Sequence, residues 1–228
     1  MTRMTNARIA GFTFLFYIVV GITSAVLFNG ATSGEGTATK LARIAEHASD
    51  LRVVILLMLL QSCSALVLAV TLYGITRDED HELAMLSMAF RIGEGVVGAV
   101  GIPTVLGSLW LATSAGGAGS PDPATVNTLG AFLLMPGPNP PIGAIFFAVG
   151  STIFSYLLLR GRMVPLWLAW LGVLASALLV VGLPLQLAGI FTGPLTAYQW
   201  LPALVFELVL ALRLLIKGVA TPARMQSA

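Results

Sequence analysis

The chain has 228 residues, of which 57% are hydrophobic and 10% charged, and its mean hydropathy is +0.93. A soluble domain carries about 25% charged residues, so this chain lacks the polar surface that water demands and is expected to form one membrane domain, residues 1–228. A formal net charge of +2 argues against a nucleic-acid surface, and a single cysteine, Cys63, excludes an intramolecular disulfide or a CxxC motif.

The N-terminal stretch MTRMTNARIAGFTFLFYIVVGITSAVLFNGATSG has the basic start of a signal peptide. Its apolar run of about 18 residues is longer than a signal core, and no small-residue cleavage site follows, so it reads as a retained first span. Six segments approach the roughly 20 apolar residues that a bilayer requires: residues 9–28, 53–75, 83–113, 142–159, 166–187 and 201–216. Hydrocarbon offers the backbone no hydrogen-bond partner, and the alternation of a transmembrane barrel is absent, so the expected fold is an all-α bundle of six transmembrane helices. Arg3, Arg8, Arg77, Arg91, Arg160, Arg162, Arg213, Lys217 and Arg224 fall on one side of that topology, and Lys40, Arg43 and Arg52 on the other. The positive-inside rule places both termini in the cytoplasm.

Between the first two spans, LARIAEHASD sets Leu41, Ile44 and Ala45 on one helical face. That is the pattern of a short amphipathic helix lying on the outer membrane surface. The loop TRDEDHEL is dense in acids, and its His81, like His47, reads as a solvated loop histidine. Residues 116–141 open and close with Gly and Pro around the apolar core TLGAFLLM. This core is too short to span, so residues 124–135 read as an interfacial or re-entrant piece. Pro136, Pro138, Pro140 and Pro141 then stiffen the approach to the fourth span.

The third span breaks the rule that keeps charge out of hydrocarbon, because it carries Arg91 and Glu94. At the helical repeat, Ser87, Arg91, Glu94, Gly98 and Gly101 share one stripe, which must face the protein rather than lipid. Glycines on such a stripe let another helix come close, and Pro103 is expected to bend the exterior half. The second span has a weaker polar stripe of Gln61, Ser64, Leu68 and Thr71, and the sixth carries Glu207 between Ala203 and Ala211. Counted at about 1.5 Å per residue, Glu94 and Glu207 both reach mid-bilayer. The candidate binding site is therefore an intramembrane polar cluster of Arg91, Glu94 and Glu207, with Gln61 as a neutral partner. Such a cluster either fixes which helices meet or receives a small polar ligand, ion or proton. Catalysis is the least favoured of the three. HExxH, GxSxG and P-loop patterns are absent, and no histidine lies in a span to bind haem. No cofactor and no metal is expected. Trp110, Trp167, Trp170, Tyr198 and Trp200 stand near span ends and read as interface anchors.

Four stretches occur in the same order in one group of proteins: ARIAGFTFLFYIVVGI, AFRIGEG, GAIFFAVGSTIFSYLLLRGRMVPLWLAWLGVLA and PALVFELVLALRLLIKG. On these the chain resembles the six-span bacterial membrane proteins grouped as domain of unknown function 4386 (DUF4386), over nearly its whole length. The most specific elements are Arg91 with Glu94, the turn Arg162-Met163-Val164-Pro165, and Glu207. The resemblance implies the six-span architecture and a bacterial inner-membrane location, and brings no activity with it. Members often carry a histidine-containing stretch before the fourth span, where this chain reads MPGPNPP. The expected function is a transporter-like or small-ligand-binding bundle. The alternative is a non-catalytic accessory protein with a structural Arg/Glu cluster. The expected partners are the lipid bilayer and a small polar ligand or ion, with a homo-oligomer compatible and nucleic acid not expected.

Overall fold

Apolar runs of this length bury no backbone dipole cheaply unless each N–H pairs within its own segment. The computed structural model, which describes residues 2–114, 122–134 and 142–221, is helical throughout, with no strand among the described residues. In chain order the helices are α1 (Arg3–Ala31), α2 (Thr37–Glu46), α3 (Ala48–Thr76), α4 (His81–Ala99), α5 (Gly101–Ser114), α6 (Pro123–Leu133), α7 (Ile142–Arg160), α8 (Leu166–Leu187), α9 (Leu195–Tyr198) and α10 (Leu201–Ile216). Among the described residues, six stretches are long and apolar enough to cross a membrane: Arg3–Ala31, Ala48–Thr76, His81–Ser114, Ile142–Arg160, Leu166–Leu187 and Leu195–Ile216. This is the architecture of a multi-pass membrane protein. α1 has 29 residues, or roughly 43 Å at 1.5 Å per residue. It therefore outreaches a hydrocarbon core of about 30 Å, and so begins six residues earlier than the apolar run alone indicates.

The chain resolves into two compact units. One comprises Met1–Ile18, Ser62–Val97 and Pro138–Ala228, and the other Val19–Gln61 and Gly98–Gly137. In the first, Ala7, Ala10 and Phe14 of α1 join a core with Leu68, Leu72 and Ile75 of α3, Phe154 and Leu158 of α7, Leu168 of α8, and Phe206 and Leu210 of α10. A smaller cluster sets Phe147 and Ala148 against Ala175, Leu179 and Leu183 of α8 and Ala203 of α10. The acidic loop is tied into this unit: Arg160 at the end of α7 reaches Asp80 at 2.9 Å and Glu79 at 3.3 Å, and Arg3 reaches Asp78. Between α7 and α8 the turn foreseen at Arg162-Met163 closes with Arg162 in the left-handed region, φ 50°. Met163 N–H donates to Leu158 C=O and Arg162 N–H to Leu159 C=O, the two bonds of a Schellman cap.

The second unit corrects two expectations. The amphipathic α2 does not merely rest on a membrane surface, because Leu41 and Ile44 are buried in a core with Leu51, Val105, Leu109 and Leu111. Its apolar face finds protein partners on α5, and α6 adds Val126 and Leu133. The third span is not one bent helix: α4 stops at Ala99 and α5 starts at Gly101. Pro103 has no N–H for the Ala99 carbonyl, and its ring crowds that carbonyl, so the interruption falls four residues ahead of the proline.

The short apolar core of residues 124–135 is helical in α6, whose Gly130 backs onto Thr37 and Leu41. Its N-cap Asp122 accepts from the backbone N–H of Ala124 and Thr125 and from the Thr125 hydroxyl. The four prolines at 136, 138, 140 and 141 lie outside the described residues. The Thr125 hydroxyl first, then its backbone N–H, holds the Asp122 carboxyl below its ordinary range. A depressed pKa contributes stability above the unfolded value, and that contribution is lost as pH falls through the folded value. Amide exchange at Ala124 and Thr125 is therefore expected to accelerate, relative to the rest of α6, as pH drops below the usual carboxylate range. Asp122→Ala should show the faster exchange already at neutral pH.

Among the smaller expectations, Cys63 is exposed on α3 rather than packed. His47 is not simply solvated, because its Nδ1 lies 3.0 Å from Asp50. His81 opens α4, with Nδ1 3.4 Å from the Tyr73 hydroxyl.

Candidate functional site

Spacing of three and four residues along α4 puts Ser87, Arg91 and Glu94 on one face, and all three are buried, Arg91 at 2% and Glu94 at 6% exposure. Arg91 Nη1 lies 2.9 Å from Glu94 Oε2. The contact is an ion pair by distance, without the alignment of a hydrogen bond, since Oε2 has no hydrogen-bond partner. The other carboxylate oxygen is held from α1, where the Tyr17 hydroxyl donates to Glu94 Oε1 at 2.7 Å. The Arg91 guanidinium carbon is 5.0 Å from the Phe147 ring centre and 5.9 Å from that of Phe14. In a desolvated setting a cation over a ring gains about 2 kcal/mol, so the rings offset part of the cost of burying this charge.

Backbone makes room for the arginine. A Cβ on Gly150 of α7 would meet Arg91 Cγ at 3.2 Å and Phe90 Cβ at 3.2 Å. The absence of that carbon lets the arginine stem lie along α7. The Ser87 hydroxyl donates to the Gly150 carbonyl at 2.9 Å, fixing the same approach. Glu207 of α10 is 7% exposed, and its carboxylate lies within electrostatic reach of both Arg91 and Glu94.

The first unit thus brings Arg91, Glu94 and Glu207 together. Gln61 belongs to the second unit, where a Cβ on Gly21 would meet its Nε2 at 2.8 Å. Gly98 and Gly101 also belong to that unit, so the glycine that serves the arginine is Gly150 instead. Four contributors escaped the sequence reading: Tyr17, Phe14, Phe147 and Gly150. Tyr17 had a legible signal. It sits near the middle of the 29-residue α1, away from the interface belts where tyrosine is common in membrane helices, and a tyrosine hydroxyl at that depth needs a partner. The Trp200 ring stacks on Phe147 with centres 6.3 Å apart. It braces the ring beneath Arg91, whereas Trp110, Trp167, Trp170 and Tyr198 stay exposed.

Chemically, the site offers more polar atoms than it consumes. Arg91 Nε and Nη2 and Glu207 Oε1 are buried without a hydrogen-bond partner among the described residues. These atoms carry three N–H donors and one acceptor oxygen. No group of three or more His, Cys, Asp or Glu side chains suited to a metal ion occurs among the described residues.

A family model described as domain of unknown function (DUF4386) matches residues 9–218. No curated protein and no solved structure matches the chain.

Proposed function

The chain belongs to the DUF4386 family, a description that carries no activity, and from the geometry we propose a small-ligand-binding, transporter-like bundle; the sequence resemblance and the Lys and Arg asymmetry support a bacterial inner-membrane location with both termini cytoplasmic. The observation that carries this reading is the surplus of buried hydrogen-bonding atoms on Arg91 and Glu207. Each buried polar atom left unpaired costs about 1–3 kcal/mol, so a group that satisfies several at once binds with a large return. Its chemistry follows from the site: an acceptor or negative charge toward the guanidinium, and a donor or positive charge toward Glu207. A small zwitterion, a hydroxylated metabolite, or an ion with its water fits that description.

The test is a thermal-shift screen of the purified protein against ions, amino acids and small polyols, repeated on Glu207→Gln and Glu94→Gln. A ligand of this site raises the wild-type Tm by several degrees, and the shift falls by more than half in Glu207→Gln. A shift that survives both substitutions intact places the ligand elsewhere and defeats the reading.

One observation favours the accessory alternative, in which the cluster is structural. The Tyr17 hydroxyl, the ion pair and the two aromatic rings already lock α1, α4 and α7 around Arg91. On that reading no screened compound shifts the Tm through Glu207.

A further inference from the structure

The second unit holds a separate cleft of about 420 Å³ at the end of α1, whose lining combines Asn29, Thr32, Ser33 and Lys40 with Phe28, Leu133 and Leu134. We propose that this cleft binds a phosphate group, presented as the headgroup of a phospholipid whose chain lies on the Phe28, Leu133 and Leu134 floor.

Its level in the membrane is the first reason. α1 is about 13 Å longer than the hydrocarbon core it crosses, so its last turn, Phe28 to Ala31, emerges where acyl chains give way to headgroups. A cleft at that depth, lined by both polar and apolar side chains, suits an amphiphile better than a purely polar solute. Its polar residues suit phosphate chemistry. Lys40 brings a cation that binds phosphate as a point charge, and the Asn29 side chain brings an amide donor, while the Thr32 and Ser33 hydroxyls already donate to the Phe28 and Gly30 carbonyls and hold the loop in place. A second cation orders the loop: the Arg43 guanidinium donates to Ser33 Oγ at 3.1 Å and to the Gly30 carbonyl at 3.5 Å. The loop's acid, Glu35, is exposed and does not line the cleft. Helix α2 has Gly36 as its N-cap and no side-chain cap hydrogen bond, so the partial positive charge of its first turn adds to that of Lys40. None of these residues belongs to the Arg91 cluster, so the proposal stands or falls apart from the function proposed above.

The experiment uses the full chain in a maltoside micelle, with binding followed by native mass spectrometry and thermal shift. Three probes are compared: dihexanoylphosphatidylglycerol, inorganic phosphate, and dihexanoylglycerol, which has the chains without the phosphate. The phospholipid is expected to bind and the diglyceride to fail. Lys40→Gln should weaken phospholipid binding on the order of tenfold, the worth of one charge-assisted contact, while Lys40→Arg, which keeps the charge, retains it. Inorganic phosphate binding as tightly as the phospholipid, with the same loss in Lys40→Gln, keeps the phosphate site and overturns the lipid source. Equal binding of the diglyceride overturns the proposal, as does unchanged phospholipid affinity in a folded Lys40→Gln protein.

Discussion

Arg91→Met is expected to destabilise the protein by about 3–5 kcal/mol, the usual cost of removing one member of a buried ion pair. The substitution keeps the length and apolar character of the stem that lies along Gly150, so loss of packing is small. What is lost is charge. Glu94, at 6% exposure, keeps the Tyr17 hydroxyl but no cation, and Phe14 and Phe147 lose the group over their rings. The double variant Arg91→Met with Glu94→Gln removes the stranded charge while leaving Tyr17 an oxygen to donate to. It should recover at least half of the loss, because neutral replacements of a whole buried pair are often tolerated. Thermal unfolding in detergent, followed by tryptophan fluorescence, reads both. A double variant no more stable than the single one would show that the loss comes from packing and not from an unpaired carboxylate.

Gly11→Ala should cost a comparable amount for an unrelated reason, at the upper end of the roughly 1–3 kcal/mol that overpacking exacts. A Cβ at Gly11 would lie 2.6 Å from the Ala211 carbonyl oxygen, 2.6 Å from the Leu215 backbone nitrogen and 3.1 Å from Leu215 Cα. All three are backbone atoms of α10, so no side chain can swing aside, and relief requires α1 and α10 to part. Between membrane helices attraction comes largely from close packing, because lipid is as apolar as the side chains. Separation therefore forfeits contacts that nothing replaces. Gly30→Ala in the same helix is the control. Nothing lies within 4 Å of a Cβ there, and alanine is the better helix former by roughly 0.5–1 kcal/mol. The same chemical change should thus lower the Tm at Gly11 and raise it slightly at Gly30. Equal effects at the two positions would contradict the close approach of α1 to α10.

The class of protein, the six spans and the burial of Arg91, Glu94 and Glu207 were legible along the chain. Each rests on a cost counted residue by residue: the transfer of apolar side chains into lipid sets the spans, and the expense of a charge in hydrocarbon singles out Arg91, Glu94 and Glu207. Helical spacing then sufficed to put Ser87, Arg91 and Glu94 on one face, since that relation is local.

The contacts these groups make depend on pairs far apart in the chain. Tyr17 meets Glu94 across 77 residues and Ser87 meets Gly150 across 63, and no periodicity records such a pairing. Glycine was expected at the cluster and is there, but as Gly150 of α7 instead of Gly98 or Gly101 of the third span. A stripe shows that a helix can be approached, not which helix approaches. The burial of α2 is of the same kind. Its amphipathic face was plain, yet whether lipid or protein covers such a face is settled by what lies opposite, here Val105 and Leu109 of α5. Free energy counted along the chain fixes where the protein sits. Free energy shared between distant side chains fixes what Arg91 touches, and therefore which of its donors have no partner among the described residues.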